Sequence, residues 1–145
     1  MSEIDFIRES NRIEGIRRDP TKDEIYEYER FMALQFPTVK DMIAFVKVYQ
    51  PGARLRNRSG LDVRVGSYYP PKGSPEILPR LESIMQNAVS GKRNAFRAHQ
   101  DYESLHPFTD GNGRSGRMLW MWMMKEAPLG FLHTWYYQSL SNNRA

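Results

Sequence analysis

The sequence predicts an all-α domain carrying one β-hairpin, and three observations predict it. Apolar residues recur every three or four positions through most of the 145 residues. Serine, threonine and glycine stand where those stretches begin and end. One segment alone, Leu61-Asp-Val-Arg-Val65, alternates with a period of two. The length suits a single core, so residues 1–145 are expected to form one domain.

The elements follow in order. A first helix is expected over about Ser2 to Glu14, stopped by Gly15. On it Ile4, Ile7, Asn11 and Glu14 are three and four apart, so Glu14 shares a face with apolar residues that should dock on the domain. Asp19-Pro-Thr-Lys-Asp makes a turn, and Thr21 caps a second helix through about Gln35. Thr38 caps a third, Val39 to about Tyr49, closed by Pro51-Gly52. Asn57-Arg-Ser-Gly60 reads as the turn of the hairpin, and Tyr68-Tyr-Pro-Pro breaks into loop. Helices resume over about 75–90 and 92–105. On the latter Ala95, Ala98, His99, Tyr102 and Leu105 form one inward stripe, which makes His99 a core histidine. The block Met118 to Met124 is apolar on nearly all sides and belongs in the middle of a bundle, with Gly116 easing close packing. A last helix is expected over about 130–140, where Trp135, Tyr136 and Tyr137 either cap the core or stack on a base.

Composition narrows the function classes. Hydrophobic residues make up 40% and charged residues 26%, the balance of an ordinary globular protein. No apolar run approaches the ~18 residues of a membrane helix, and Met1-Ser-Glu-Ile-Asp lacks a basic-then-apolar leader. The chain has no cysteine, which excludes disulfides, thiolate metal sites and a cysteine nucleophile. A cytoplasmic protein without membrane contact is expected. The net charge of +4 comes with two basic clusters, Arg54/Arg56/Arg58/Arg64 and Lys92/Arg93/Arg97. No reading element for nucleic acid accompanies them, so they read as solvated surface that attracts ATP or an acidic partner. The widely spaced His99 and His133, without neighbouring ligands, argue against zinc.

The segment His106-Pro-Phe-Thr-Asp110-Gly-Asn-Gly-Arg114-Ser-Gly-Arg117 carries the chemistry. Its glycines leave backbone N–H groups open to an anion, and the helix that follows adds unpaired donors and a positive dipole end. Asp110 can reach a magnesium ion, which favours one or two carboxylates plus phosphate oxygens. Arg114 and Arg117 are three apart, share a helix face and can fork onto phosphates. His106 alone has an ordinary pKa suited to proton transfer near neutrality.

These residues resemble the Fic motif, His-Pro-Phe-x-Asp-Gly-Asn-Gly-Arg-x-x-Arg, at every fixed position. The resemblance implies a Fic-like helical bundle with a β-hairpin flap over 53–70. It implies a protein adenylyltransferase that moves AMP from ATP, with Mg2+, onto a hydroxyl of a target protein. By that resemblance His106 is the base and Asp110 the magnesium ligand. Gly111, Asn112 and Gly113 form the anion hole, and Arg114 and Arg117 hold the phosphates, Arg117 reaching the γ-phosphate. The flap residues Leu61, Val63 and Val65 would dock an extended target segment by backbone pairing.

Upstream, Ser10-Asn-Arg-Ile-Glu14-Gly15 resembles the Fic inhibitory pattern, Ser/Thr-x-x-x-Glu-Gly/Asn. This implies an inhibitory helix over 2–15 whose Glu14 pairs with Arg117 and denies it to the γ-phosphate, in cis or within a homo-oligomer. Two other functions use the same residues. Glu14 would orient a water in a de-AMPylating hydrolase, or the loop would serve a low-turnover nucleotide sensor or protein-docking module. An intact His106 argues against the sensor.

Overall fold

A computed structural model describes residues 1–132. His133, Trp135, Tyr136, Tyr137 and nearly all of the expected last helix lie outside the described residues. Six helices follow one another: α1 (Glu3–Ile13), α2 (Lys22–Met32), α3 (Val39–Tyr49), α4 (Ile77–Ser90), α5 (Ala95–Leu105) and α6 (Asn112–Met124). The starts of α1, α2 and α5 are set by side chains that satisfy orphan backbone donors. Ser2 Oγ accepts the Asp5 N–H at 3.2 Å. Thr21 and Glu24 cap each other's N–H groups at 3.1 and 2.8 Å. Asn94 Oδ1 accepts the Arg97 N–H at 2.9 Å, which starts α5 two to three residues later than the periodicity alone predicts. Helix α2 ends at Met32, short of Gln35.

The bundle is built around α6, which touches each of the other five helices. Met118, Leu119, Trp120, Met121 and Trp122 are buried in the core, as their composition predicts, while Met124 is exposed at its end. The whole α5 stripe, Ala95, Ala98, His99, Tyr102 and Leu105, is buried. Helix α5 presses on α6 at Gly116, where a side chain would meet Glu103 Oε1 and the Tyr102 ring. No helix among the described residues is long and apolar enough to cross a membrane.

The predicted hairpin is corrected. Among the described residues segment 53–70 forms no strand. It holds one isolated pair, Val65 with Tyr68, around a reversal at Gly66-Ser67, and one bridge from Leu55 to Phe108. Alternation survives only as burial, with Leu61, Val63 and Val65 half-buried and Asp62 and Arg64 exposed. The physical reason lies before the predicted turn at 57–60: the Arg56 N–H donates to Pro107 O and Leu55 bridges Phe108, so that stretch is paired away from 61–65. Beyond the reversal, Pro70 and Pro71 have no N–H to extend the Val65–Tyr68 pair. The loop is organised instead by Arg56, which is 0% exposed. Its guanidinium donates to the carbonyls of Leu61 at 3.1 Å and Pro71 at 2.8 Å, and to those of Leu105 and His106. Arg56 therefore does not belong to the solvated basic surface expected of its cluster.

The first helix is corrected in detail. Ile4 is exposed, and the docked face is Phe6, Ile7, Ser10 and Asn11. Glu24 of α2 anchors it. This carboxylate is 2% exposed; it takes two hydrogen bonds from Arg18, at 2.8 and 3.2 Å, and one from Asn11 at 3.4 Å. Burial raises the Glu24 pKa, yet the bonds from Arg18, Thr21 and Asn11 outweigh it and hold the carboxyl below its ordinary value. A depressed carboxylate stabilises the fold fully above the unfolded pKa, and that stability is lost as pH falls through the folded one. Glu24→Gln should therefore remove part of the pH dependence of denaturant-measured stability below about pH 4.5. An unchanged acid limb in that variant would contradict the anchor.

Candidate functional site

Helix α5 ends at His106, which takes a left-handed backbone, φ 51° and ψ 63°. That conformation costs a residue with a side chain about 1–2 kcal/mol, so the surroundings must impose it. The His106 N–H still closes the helix on Tyr102 O at 2.9 Å, and Pro107 prevents continuation. Nδ1 lies 3.4 Å from the Glu103 carbonyl, which can only accept. The proton is thereby assigned to Nδ1, leaving Nε2 as the basic nitrogen. Burial draws the His106 pKa below the imidazole range; the Arg56 charge acts in the same direction, while Glu103 and Glu14 oppose it.

The loop from His106 to α6 is stitched by Asn112. Its Oδ1 accepts the Phe108 N–H at 2.9 Å and its Nδ2 donates to the Phe108 carbonyl at 2.8 Å. The side chain is buried and committed to the loop, so what Asn112 can offer an anion is its backbone N–H in the first turn of α6. Asp110 is exposed at the same helix start, its Oδ1 accepting the Gly111 N–H at 2.7 Å.

Both arginines of α6 are buried, and their partners differ. Arg117 donates from Nε to Ser10 Oγ at 2.9 Å, and from one terminal nitrogen to Ser10 O at 3.0 Å and Glu14 Oε1 at 2.8 Å. Arg114 donates to two neutral amides, Asn11 Oδ1 at 3.4 Å and Gln50 Oε1. Its Nε has no partner among the described residues. Burial pulls the Arg114 pKa down and the Arg117 charge acts the same way, while Glu14, Glu24 and Asp110 oppose it without bonding to it. A desolvated guanidinium without a bonded counter-ion is a ready seat for an anion.

Glu14 sits at the end of α1. Gly15, at φ 78°, turns the chain into a Schellman closure: the Gly15 N–H donates to Arg12 O and the Ile16 N–H to Asn11 O. This points Glu14 at the start of α6. A Cβ at Gly113 would lie 2.2 Å from Glu14 Oε1, so only glycine admits the carboxylate there. Glu14 thus rests on the first turn of α6 and on Arg117, where unpaired N–H groups and the helix dipole favour negative charge. Its side chain is 40% exposed, which leaves it open to displacement.

A cleft of about 1120 Å³ gathers these groups. His106, Asp110, Gly111, Asn112, Gly113, Arg114 and Arg117 line it together with Glu14, Val63 and Val65. Ser10 acts from behind through Arg117, Gly15 by shaping the turn, and Leu61 by giving its carbonyl to Arg56. Among the described residues no three potential ligands cluster into a metal cage. One exposed carboxylate beside buried arginines and a helix start would fit magnesium, an ion that keeps its waters and favours one or two carboxylates together with phosphate oxygens. Sequence reasoning missed Arg56, Gln50 and Asn11. Asn11 and Arg56 were in view, one on the docked face of the first helix, where it is buried, and one as surface charge. Glu103 was legible as the residue three before His106, on the same helix face; His99 contacts it at 3.3 Å.

The Fic/DOC family model matches residues 41–124, more than half of the chain. The matched span holds His106, the loop and both arginines, whereas α1 with Ser10 and Glu14 precedes it.

The stitching by Asn112 has a measurable consequence. Asn112→Ala strips partners from two buried backbone groups of Phe108, at about 1–3 kcal/mol each. Denaturant unfolding should register a loss of about 2–6 kcal/mol. A change within about 0.5 kcal/mol, the range of an ordinary surface substitution, would contradict this role.

Proposed function

The chain belongs to the Fic/DOC family, and from that premise and the geometry of the cleft we propose that it is a protein adenylyltransferase held down by its own first helix. It transfers AMP from ATP to a serine, threonine or tyrosine hydroxyl of a target protein. The observation that carries this reading is the Glu14 carboxylate lying against Gly113 and Arg117, at the start of α6. The protein's own anion occupies the position suited to a terminal phosphate.

The chemistry follows from the residues. His106 Nε2 takes the proton of the acceptor hydroxyl, whose oxygen bonds to the α-phosphorus as the bond to the bridging oxygen breaks and pyrophosphate leaves. The backbone of Gly111, Asn112 and Gly113 and the guanidinium of Arg114 hold the phosphates. Asp110 would hold magnesium, which when bound neutralises charge on the phosphates. With Glu14 in place, Arg117 is engaged and ATP lacks its terminal contact. Val63 and Val65 face the cleft, and an extended target segment would lie along this stretch.

Incubation with labelled ATP and candidate targets tests the proposal. His106→Ala should lower transfer by about 10²–10⁴-fold while ATP still binds. Glu14→Gly should raise transfer about 10- to 100-fold, the equivalent of the charge-assisted bonds returned to Arg117. Because the His106 pKa lies below the imidazole range, the base is already unprotonated at neutrality. Activity should fall only as pH drops below about 6.5, the ordinary value. A Glu14→Gly chain no faster than wild type, with both folded, would remove the brake. Release of AMP from a pre-modified protein by the wild type, lost in Glu14→Gly, would make Glu14 a water-orienting group instead.

A further inference from the structure

Three segments distant in sequence converge on one side chain outside the motif. Arg56 donates from Nε to His106 O at 2.6 Å, and from its terminal nitrogens to Leu105 O at 2.8 Å, Leu61 O at 3.1 Å and Pro71 O at 2.8 Å. Its own backbone adds an N–H to Pro107 O at 2.9 Å and accepts from the Ser74 N–H at 3.1 Å. Among the described residues no carboxylate bonds to it, and every partner of its side chain is a carbonyl. A buried guanidinium committed in this way is a strut whose direction is fixed by the forked donors.

Two of those carbonyls flank the Cα of His106. Leu105 O and His106 O bracket the residue that holds the left-handed backbone. Gripping both fixes the two peptide planes on either side, and with them the direction in which the imidazole leaves the chain. Neighbouring contacts strengthen the grip: the Arg54 N–H donates to Thr109 Oγ1 at 2.9 Å, and the Thr109 N–H to Arg54 O at 2.8 Å. The other two carbonyls belong to the loop that lines the cleft, so the same cation touches the loop and the histidine. Asp62 secures that loop from outside by accepting the Gly73 N–H at 2.9 Å. From the far side the Tyr68 hydroxyl donates to Ser104 O at 2.8 Å, two residues before His106.

We infer that Arg56 is a positioning residue that aims His106 and couples the 57–73 loop to it, so that whatever seats on the loop also adjusts the base. This rests on the reading of His106 as the base. Arg56 touches no reacting atom and acts through the backbone of its neighbour. A lysine keeps the charge but has no fork with which to hold three segments at once.

The test compares Arg56→Lys and Asp62→Ala with the parent, on the full chain. In the Glu14→Gly background Arg56→Lys should lower kcat by about 10²-fold, as expected for a misaimed group. The KM for ATP should stay within about 3-fold, because the phosphate seat is untouched. In the otherwise wild-type chain, the His106 ring signals followed by NMR should move in Arg56→Lys and, by a smaller amount, in Asp62→Ala. The ring signals need no turnover, so they decide the inference even if His106→Ala retains full transfer and the base assignment falls. Unmoved ring signals in both variants would overturn it, as would kcat and KM deteriorating together with a lowered melting temperature. Should Arg56→Lys fail to fold, Asp62→Ala decides: a moved His106 signal supports the coupling and an unmoved one overturns it.

Discussion

The hold of Arg117 on Ser10 and Glu14 is the interaction on which the arrangement of the site depends. A buried guanidinium needs its donors satisfied, and α6 alone offers it nothing. Ser10 supplies a hydroxyl and a carbonyl and Glu14 a carboxylate, all from one turn of α1. The spacing of four residues puts both on one helix face. The same hold that docks α1 therefore fills the anion seat of α6. A tethered carboxylate competes with a diffusing ligand at high effective concentration. It brings a single charge, however, and its side chain is only partly covered.

Arg114, one turn earlier, is satisfied differently. It faces amides from α1 and α3, Asn11 and Gln50, which lend hydrogen bonds without neutralising it. The two arginines thus divide the anion seat. One is matched by an internal carboxylate, and the other by neutral amides with carboxylates acting on it only from a distance. Asn11 joins both halves of the story, since its amide oxygen meets Arg114 while its nitrogen meets Glu24. The anchor of α1 and the buried Arg114 share a side chain.

The first three helices were legible because each carried two independent signals, a period and a cap. Thr21 with Glu24 and Gly15 after Glu14 are examples in which local chemistry and tertiary packing agree. The Ser10 and Glu14 spacing was legible as well, because a helix converts a spacing of four into a common face. The hairpin was not. Alternation at Leu61, Val63 and Val65 predicts a half-buried segment, and that part holds, but pairing depends on the opposite strand, and Leu55 and Arg56 before the predicted turn pair with Phe108 and Pro107 instead. Arg56 was illegible for a different reason. Its four acceptors are backbone carbonyls at residues 61, 71, 105 and 106, and carbonyls leave no trace in a sequence. Four basic residues in one segment read as surface until the fold buries one of them.

The central claim is that Glu14 stands where a terminal phosphate would otherwise be held. The most direct measurement is the ratio of ADP to ATP dissociation constants, by calorimetry with magnesium, in wild type and in Glu14→Gly. With Glu14 present, the γ-phosphate has no arginine to meet, so the wild type should bind the two nucleotides about equally. Removing the carboxylate should give a preference for ATP of about 10-fold or more, the worth of a charge-assisted bond. The same ratio in both chains would contradict the account.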